Sequence, residues 1–337
     1  MKMKSVMLTI LSGMLATSAA YADVHKLRLG HFWPAGSSVD QVITDWANKV
    51  KTDSNGEIAI DIYPSQTLAK AAQSYSATVK GILDITVTAQ GYMAGRFPLT
   101  QIIELPGIVT NAENTSCVLQ TLFDDESIAS EYKDSHPLFF FAHGPGHIHT
   151  NGKNIAAPED LNGMRIRRAT TVVANILSSL GAQPVGMPAP ETYTAAQRNI
   201  IDGVAFPWQA MKDFRLNEQL TSHTEMALYT LSFITTMNTR SYKALPAHLQ
   251  KVIDDNSGME WARTMGKKLD DLDTAGRTQA IAEGHSISNI DNIMENPAWK
   301  PVLSMVVDDY LTSVSKPNLN AKNIYEKALS YKKSCAI

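Results

Sequence analysis

The chain has 337 residues, of which 44% are hydrophobic and 19% are charged, and its formal net charge is −3 at pH 7. This composition is typical of a globular protein, and the length suits two domains of average size or one large domain. The near-neutral charge and the lack of a basic stripe argue against nucleic acid as a partner.

The first 22 residues have the pattern of a secretory signal peptide. Two lysines precede an apolar run over 5–15, which is too short to span a bilayer as a mature helix. A small-x-small pattern over 20–22 follows, and it predicts cleavage near Ala22 and export to the periplasm. A short anchor that stays uncleaved is the alternative interpretation.

The exported part begins with alternating strand and helix patterns. Residues 26–30 and 58–63 alternate in polarity as strands do, and 82–88 is largely apolar. Apolar residues recur at helical spacing over 40–51 and 69–80. This order of strands and helices predicts an α/β fold built on a mainly parallel sheet.

The pattern restarts near residue 138, and no low-complexity linker separates the two halves. The later predicted strands cover 138–141, 165–167, 204–206, 231–238 and 287–290, with a further piece opening at 185. The later predicted helices cover 171–180, 191–199, 246–268, 269–283, 301–312 and 321–332. Two lobes joined by crossing strands fit this arrangement better than two domains on a flexible tether.

The chain has two cysteines, Cys117 and Cys335, which are 218 residues apart. In an oxidising compartment such a pair can form a disulfide, which would tie the C-terminal tail to the body of the protein. Two unpaired thiols are the equally weighted alternative.

The stretch 161–208 holds the densest set of candidate binding groups. Arg165, Arg167 and Arg168 lie on a short predicted strand, and Phe206 and Trp208 flank a proline at the end of another. Cations facing aromatic rings predict a pocket that holds a small anion by charge and shape. The chain has no G-x-S-x-G and no H-E-x-x-H motif, so this stretch predicts binding rather than catalysis.

Four motifs in this stretch carry a resemblance to a known family. They read GMRIR at 163–167, LGAQPV at 180–185, PETYTAAQ at 190–197 and IDG at 201–203. This order resembles the signature of the DctP-type extracytoplasmic solute receptors of TRAP transporters. The segments YPSQTL, GILD, ELP and PEDL extend the likeness over nearly the whole exported chain.

The resemblance implies an α/β fold with two lobes, a type II-like periplasmic binding protein fold joined by crossing strands and a long helix. Residues 23–145 with about 234–273 are expected in lobe I, and 146–233 with about 274–337 in lobe II. The cleft between the lobes would close on a small organic acid and deliver it to the TRAP membrane permease subunits. The resemblance implies no enzyme activity and no cofactor, and we expect a monomer.

Arg167 matches the arginine with which this family binds a substrate carboxylate. A guanidinium suits that role because its two parallel N–H groups match a planar carboxylate. Strand alternation places Arg165 on the same face, so the motif decides between the two. The alternative role for Arg167 is a salt bridge within one lobe.

The sequence departs from the sialate-type receptors at two places. Phe206 stands where those receptors carry an asparagine, and 144–149 lacks their second arginine. The departures predict one charged clamp and an aromatic wall, which favours a monocarboxylate with an apolar or aromatic body. A small zwitterion or a sugar acid remains an alternative.

Residue type and position in the motif order indicate further candidate ligand contacts. His147 and His149 are candidate hydrogen-bond donors, with exposed histidines as the alternative, and their spacing alone does not predict a metal site. The remaining candidates are Phe32, Trp33, Ser37, Tyr92, Phe206, Trp208 and Asn238.

Two other functions compete with solute capture for a permease. One is a periplasmic hydrolase that uses Asp202, Glu191 and a histidine, although no acid–base pair has a meaningful spacing. The other is a receptor that presents its ligand to a sensor kinase, for which the same fold is expected.

Overall fold

A computed structural model of the chain describes residues 24–317 and 319–336. The predicted signal peptide, residues 1–22, lies outside the described residues. None of the helices in the described ranges is long and apolar enough to cross a membrane.

Two β-sheets, each covered by helices, organise the described chain. The first sheet has the strand order β2-β1-β3-β10-β4 and the second has the order β11-β9-β5-β8-β6-β7. The strands are β1 His25–His31, β2 Ile58–Tyr63, β3 Ile85–Ala89, β4 His136–Ala142, β5 Gly146–Thr150, β6 Arg165–Arg168, β7 Gln183–Gly186, β8 Gly203–Phe206, β9 Ser222–Tyr229, β10 Ser232–Met237 and β11 Ser286–Asn289.

Both sheets are mixed. In the first sheet β1 runs parallel to β2 and β3, whereas β10 is antiparallel to β3 and β4. In the second sheet β6 runs parallel to β7 and β8, whereas β5 is antiparallel to β8 and β9. The chain therefore leaves the first sheet after β4 and returns to it through β10.

Eleven α-helices in the described ranges pack around the two sheets. Their bounds are α1 Ser38–Asp53, α2 Ser74–Val79, α3 Ala112–Asp124, α4 Thr171–Ser179, α5 Thr192–Gln197, α6 Trp208–Asp213, α7 Thr239–Ala244, α8 Ala247–Asp255, α9 Gly258–Ala282, α10 Lys300–Val314 and α11 Ala321–Ser334.

The 25-residue helix α9 packs against both lobes, on α3 of the first and on α6 of the second. Two glycines permit this close approach. A Cβ at Gly266 would lie 2.6 Å from the Ala112 carbonyl oxygen, and one at Gly276 would lie 2.4 Å from the Trp208 carbonyl oxygen. Any larger residue would push α9 away from one lobe or the other.

The C-terminal helix α11 packs on α3, and thus on the first lobe. Cys117 of α3 forms a disulfide with Cys335, which ends α11. Lys327 of α11 also pairs with Asp125 at 2.8 Å. This position differs from the expectation that 274–337 belongs entirely to lobe II, because an amphipathic pattern predicts a helix but not the surface it covers.

Candidate functional site

Arg167 lies at the carboxyl-terminal half of β6, in the second lobe, and is fully buried. Its Nε donates to the Met187 carbonyl oxygen at 3.1 Å, and its Nη1 lies 3.5 Å from the Ala205 carbonyl oxygen. Its Nη2 has no hydrogen-bond partner, and no carboxylate of the described residues pairs with the guanidinium. A buried cation without an anion is costly, because the charge loses its hydration without gaining an ion pair.

Phe206 supports the guanidinium from one side. It ends β8, next to β6 in the sheet, and its ring centroid lies 4.1 Å from Arg167 Cζ. Phe214 stacks on Phe206 with ring centroids 6.2 Å apart. The ring face attracts the cation and leaves the donor edge of the guanidinium open.

Arg165 shares the strand face of Arg167 but has a different role. Its side chain is 41% exposed, and its Nη2 lies 2.6 Å from an oxygen of Asp202. Arg165 therefore forms a surface ion pair, whereas Arg167 lies inside the protein.

The first lobe contributes an aromatic wall, made of Phe32, Trp33, Tyr92 and Phe233. Phe32 stacks on Trp33 at 4.0 Å and meets Tyr92 edge-on at 5.3 Å, while Trp33 lies 5.6 Å from Phe233. The Tyr92 hydroxyl accepts a hydrogen bond from the Ala189 amide of the second lobe at 3.1 Å. The wall therefore lies at the contact between the two lobes.

Tyr229 and His143 connect Arg167 to this wall. The Tyr229 hydroxyl donates to the Ala205 carbonyl oxygen at 2.7 Å, the same oxygen that Arg167 approaches. The His143 ring lies 5.5 Å from Tyr229 and 6.0 Å from Phe233. These residues line the floor of the cleft, where the chain crosses between the sheets.

A cavity of about 270 Å³ opens at the mouth of the same cleft. Phe32 lines it from the first lobe, and Pro190, Asp213 and Phe214 line it from the second. Phe214, which lines the cavity, also stacks on Phe206, so the cavity is one aromatic ring away from the partner of Arg167.

Glu104 is a buried acid at the contact between the lobes. Its Oε2 accepts hydrogen bonds from Thr170 of the second lobe at 2.7 Å and from Gln101 at 3.4 Å. Burial raises the pKa of Glu104 to about 8, against the effect of these donors. The carboxyl group is therefore mainly protonated at pH 7 and adds little negative charge to the cleft.

Trp208 does not share the position of Phe206, contrary to the expectation from alternation. Pro207 is the N-cap of α6, so the extended strand ends there and the backbone turns. The Trp208 ring lies 5.0 Å from His149 and 4.7 Å from His223, and its Nε1 donates to Glu225 at 2.7 Å. Trp208 is thus part of the second-lobe interior.

The two candidate histidines also have partners within the second lobe. His149 Nδ1 lies 2.8 Å from His223 Nδ1, and His149 Nε2 lies 3.0 Å from the Phe206 carbonyl oxygen. His147 Nδ1 accepts from the Met226 amide at 3.2 Å, and the ring lines a separate cavity of about 510 Å³. Both rings are buried, not exposed as the alternative interpretation expected.

Burial lowers the pKa of both histidines, to about 4 for His147. Over residues 24–317 and 319–336, no group of three or more His, Cys, Asp or Glu residues could hold a metal ion.

Ser37 and Asn238 cap helices. Ser37 Oγ accepts from the Asp40 amide at the start of α1, at 3.4 Å. Asn238 Oδ1 accepts from the Ser241 amide at the start of α7, and its Nδ2 donates to the Thr78 carbonyl oxygen at 2.8 Å. Neither side chain needs a ligand to satisfy these contacts.

The family model described as bacterial extracellular solute-binding protein, family 7, matches residues 29–312. The chain belongs to this family. The resemblance to the DctP-type solute receptors of TRAP transporters is therefore confirmed, and so is the expected α/β fold with two lobes.

Solved structures of related proteins agree with this assignment. A marine metagenome TRAP solute-binding protein specific for aromatic acid ligands, from an unidentified microbe, is 34% identical with a TM-score of 0.89. The alignment covers 94% of this chain and 100% of that protein, whose structure holds metahydroxyphenylacetate. A TRAP solute-binding protein from Rhodoferax ferrireducens T118 with copurified benzoate is 33% identical with the same TM-score, covering 93% and 98%.

More distant relatives have other names. The 2,3-diketo-L-gulonate-binding periplasmic protein of Escherichia coli K12 is 24% identical, with 92% of this chain and 94% of that protein covered. A Roseobacter denitrificans receptor with bound β-D-glucuronate is 17% identical, with a TM-score of 0.77 and coverage of 91% and 99%, and shows the shared fold alone.

Proposed function

We propose that this protein captures an aromatic monocarboxylate in the periplasm and delivers it to a TRAP membrane permease. The observation that carries the proposal is Arg167, which is fully buried, stacked on Phe206 and left with an Nη2 that has no partner within 24–317 and 319–336. A ligand carboxylate supplies the missing anion, and the aromatic wall supplies an apolar surface for the rest of the molecule.

The surroundings of Arg167 favour an apolar body over a sugar acid. Hydroxyls placed against Phe32, Trp33 and Phe233 would lose water without gaining partners from these side chains, which is costly. The aromatic ligands of the two relatives that are 33–34% identical support the same ligand class.

The test is a calorimetric titration of the protein with benzoate, phenylacetate and glucuronate. We expect tight binding of at least one aromatic acid and weak or no binding of glucuronate. Arg167→Ala should weaken aromatic acid binding by about 2–5 kcal/mol, roughly 30-fold or more, because it removes one partner of a buried charge pair.

Arg165→Ala is the matched control. It removes the same charge from the same strand, but at the surface ion pair with Asp202, so we expect an affinity within about twofold of the unchanged protein. Circular dichroism checks that both variants are folded. Equal affinities for the folded Arg167→Ala variant and the unchanged protein would refute the role of Arg167, and tight glucuronate binding without any response to aromatic acids would refute the ligand class.

A further inference from the structure

Residues 143–145 carry the chain from β4 to β5 at the floor of the cleft. Gly144 faces α9, since a Cβ there would lie 2.0 Å from a carboxylate oxygen of Asp273. The His143 ring contacts Tyr229 and Phe233, and so lies on the cleft side of the crossing segment. With 3% of its surface exposed, His143 is shielded from bulk water.

The tautomer of His143 follows from its neighbours. Its Nδ1 is within hydrogen-bond distance of the Gly144 carbonyl oxygen, which can only accept, so Nδ1 carries the hydrogen. Burial lowers the pKa of His143 to about 3, and nearby His147 and Arg167 lower it as well, so the ring is neutral at pH 7.

In this tautomer Nε2 carries a lone pair that can accept a hydrogen bond, and it has no hydrogen-bond partner among the described residues. Buried polar atoms in native proteins nearly always have a partner, and an empty acceptor is costly. A ligand carboxylate cannot supply one, because it is ionised at neutral pH and has no hydrogen to donate.

We propose that His143 Nε2 accepts a hydrogen bond from a ligand hydroxyl, so that His143 selects hydroxy-substituted aromatic monocarboxylates. This inference rests on the proposed function, in which Arg167 holds the carboxylate of the same ligand. The hydroxyl is either on the aromatic ring or on the carbon next to the carboxylate, and both positions offer the same donor.

The experiment measures dissociation constants for two matched ligand pairs, benzoate with 3-hydroxybenzoate and phenylacetate with mandelate. We expect the hydroxylated member of at least one pair to bind about tenfold tighter or more, since the unsubstituted member leaves Nε2 unpaired. The pair that shows the preference identifies the position of the hydroxyl.

His143→Phe keeps a ring of similar size and removes the acceptor. We expect it to reduce that preference to about twofold, and the ratio of the two affinities, not either affinity alone, is the quantity compared. His147→Phe is the matched control, because this buried histidine lies outside the cleft and its Nδ1 already binds the Met226 amide. It should keep the preference of the unchanged protein.

A measurement on the unchanged protein covers the case in which His143→Phe does not fold. With ¹⁵N-labelled histidine, 3-hydroxybenzoate or mandelate should shift the Nε2 resonance of His143, and the unsubstituted partner acid should not. The inference is wrong if aromatic acids bind without a hydroxyl preference, if the preference survives in folded His143→Phe, or if the resonance responds equally to both members. Failure of all four acids to bind would instead refute the proposed function and, with it, the inference.

Discussion

At the scale of single residues, Arg167 is held without a carboxylate partner in the part of the chain that the structure describes. Two backbone carbonyl oxygens and the face of Phe206 orient the guanidinium, so it loses little further freedom when an anion binds. A side chain that is already ordered and desolvated makes binding stronger than a mobile surface cation would.

Phe206 and Trp208 give a test of which aromatic ring serves the ligand site. Phe206→Leu should weaken benzoate binding by roughly 2–30-fold, since the loss of a desolvated cation–π contact costs about 0.5–2 kcal/mol. Trp208→Phe should leave affinity within about twofold and lower the melting temperature, because it removes the hydrogen bond to Glu225. Calorimetry and thermal unfolding measure the two effects, and a large affinity loss for Trp208→Phe alone would contradict this assignment.

Only some residues of the candidate site could be predicted from the sequence. The motif singled out Arg167, and residue type pointed to Phe32, Trp33 and Tyr92, which form the aromatic wall with Phe233. His143 and Tyr229 were missed because only the crossing of the two sheets brings them together. Trp208 was misplaced because alternation ends where a proline begins a helix.

At the scale of elements, α9 connects the lobes through two acidic residues one turn apart. Asp270 accepts from the Ala112 amide at the start of α3, at 2.6 Å, and Asp273 accepts from the Gln209 amide in α6, also at 2.6 Å. The sequence divided this helix at 268, whereas the structure places the break at 256–257 and continues α9 across both lobes. The predicted division at 268 was wrong, because helical periodicity continues through 269. The break falls instead where Asn256 ends α8 and Ser257 precedes α9.

The Asp273 carboxyl predicts a pH dependence of stability. Burial raises its pKa to about 7, against about 3.8 in the unfolded chain, so the folded protein holds a proton that the unfolded chain releases. This group therefore stabilises the fold most below about pH 4, and its contribution falls as the pH rises to about 7 and then stays constant. Between these pH values the contribution of Asp273 to the free energy of unfolding falls by about 4 kcal/mol in total.

Asp273→Asn keeps the acceptor for Gln209 and removes the titration. The free energy of unfolding of this variant, relative to the unchanged protein, should increase between pH 4 and 7 and level off above pH 7. Urea unfolding at four pH values measures this difference. The control is Asp45→Asn, at an exposed position of α1, for which the free energy of unfolding should follow that of the unchanged protein at every pH. If the free energy of unfolding of Asp273→Asn also follows that of the unchanged protein at every pH, the prediction is wrong.

At the scale of the whole molecule, a small set of contacts holds the two lobes together around the cleft. Thr170 binds Glu104 at one point, and Tyr92 binds the Ala189 amide at another. At the mouth, the Asp213 carboxylate of the second lobe accepts from the Ser38 and Val39 amides at the start of α1, both at 3.4 Å. A carboxylate at a helix N-terminus is favourable, so this contact stabilises the observed arrangement of the two lobes.

Removal of the Asp213 contact should shift the molecule towards an open form. Asp213→Ala should weaken benzoate binding about two- to fivefold, since a surface contact of this type contributes about 0.3–1 kcal/mol and the apparent affinity falls with the population of the closed state. Small-angle scattering should give a smaller radius of gyration when saturating benzoate is added to the unchanged protein. Without ligand, the radius of Asp213→Ala should equal or exceed that of the unchanged protein.

Glu218→Ala is the control for this experiment. Glu218 also lies near the mouth in the second lobe, but it binds Arg215 and Tyr193 of the same lobe and makes no bond to α1. Its removal should therefore leave both the affinity and the scattering curve unchanged. If benzoate binds tightly and the radius of gyration stays constant, the cleft does not close on its ligand. If Asp213→Ala and Glu218→Ala weaken binding equally, the effect comes from surface charge and not from the contact with α1, because of these two residues Asp213 alone bonds to α1.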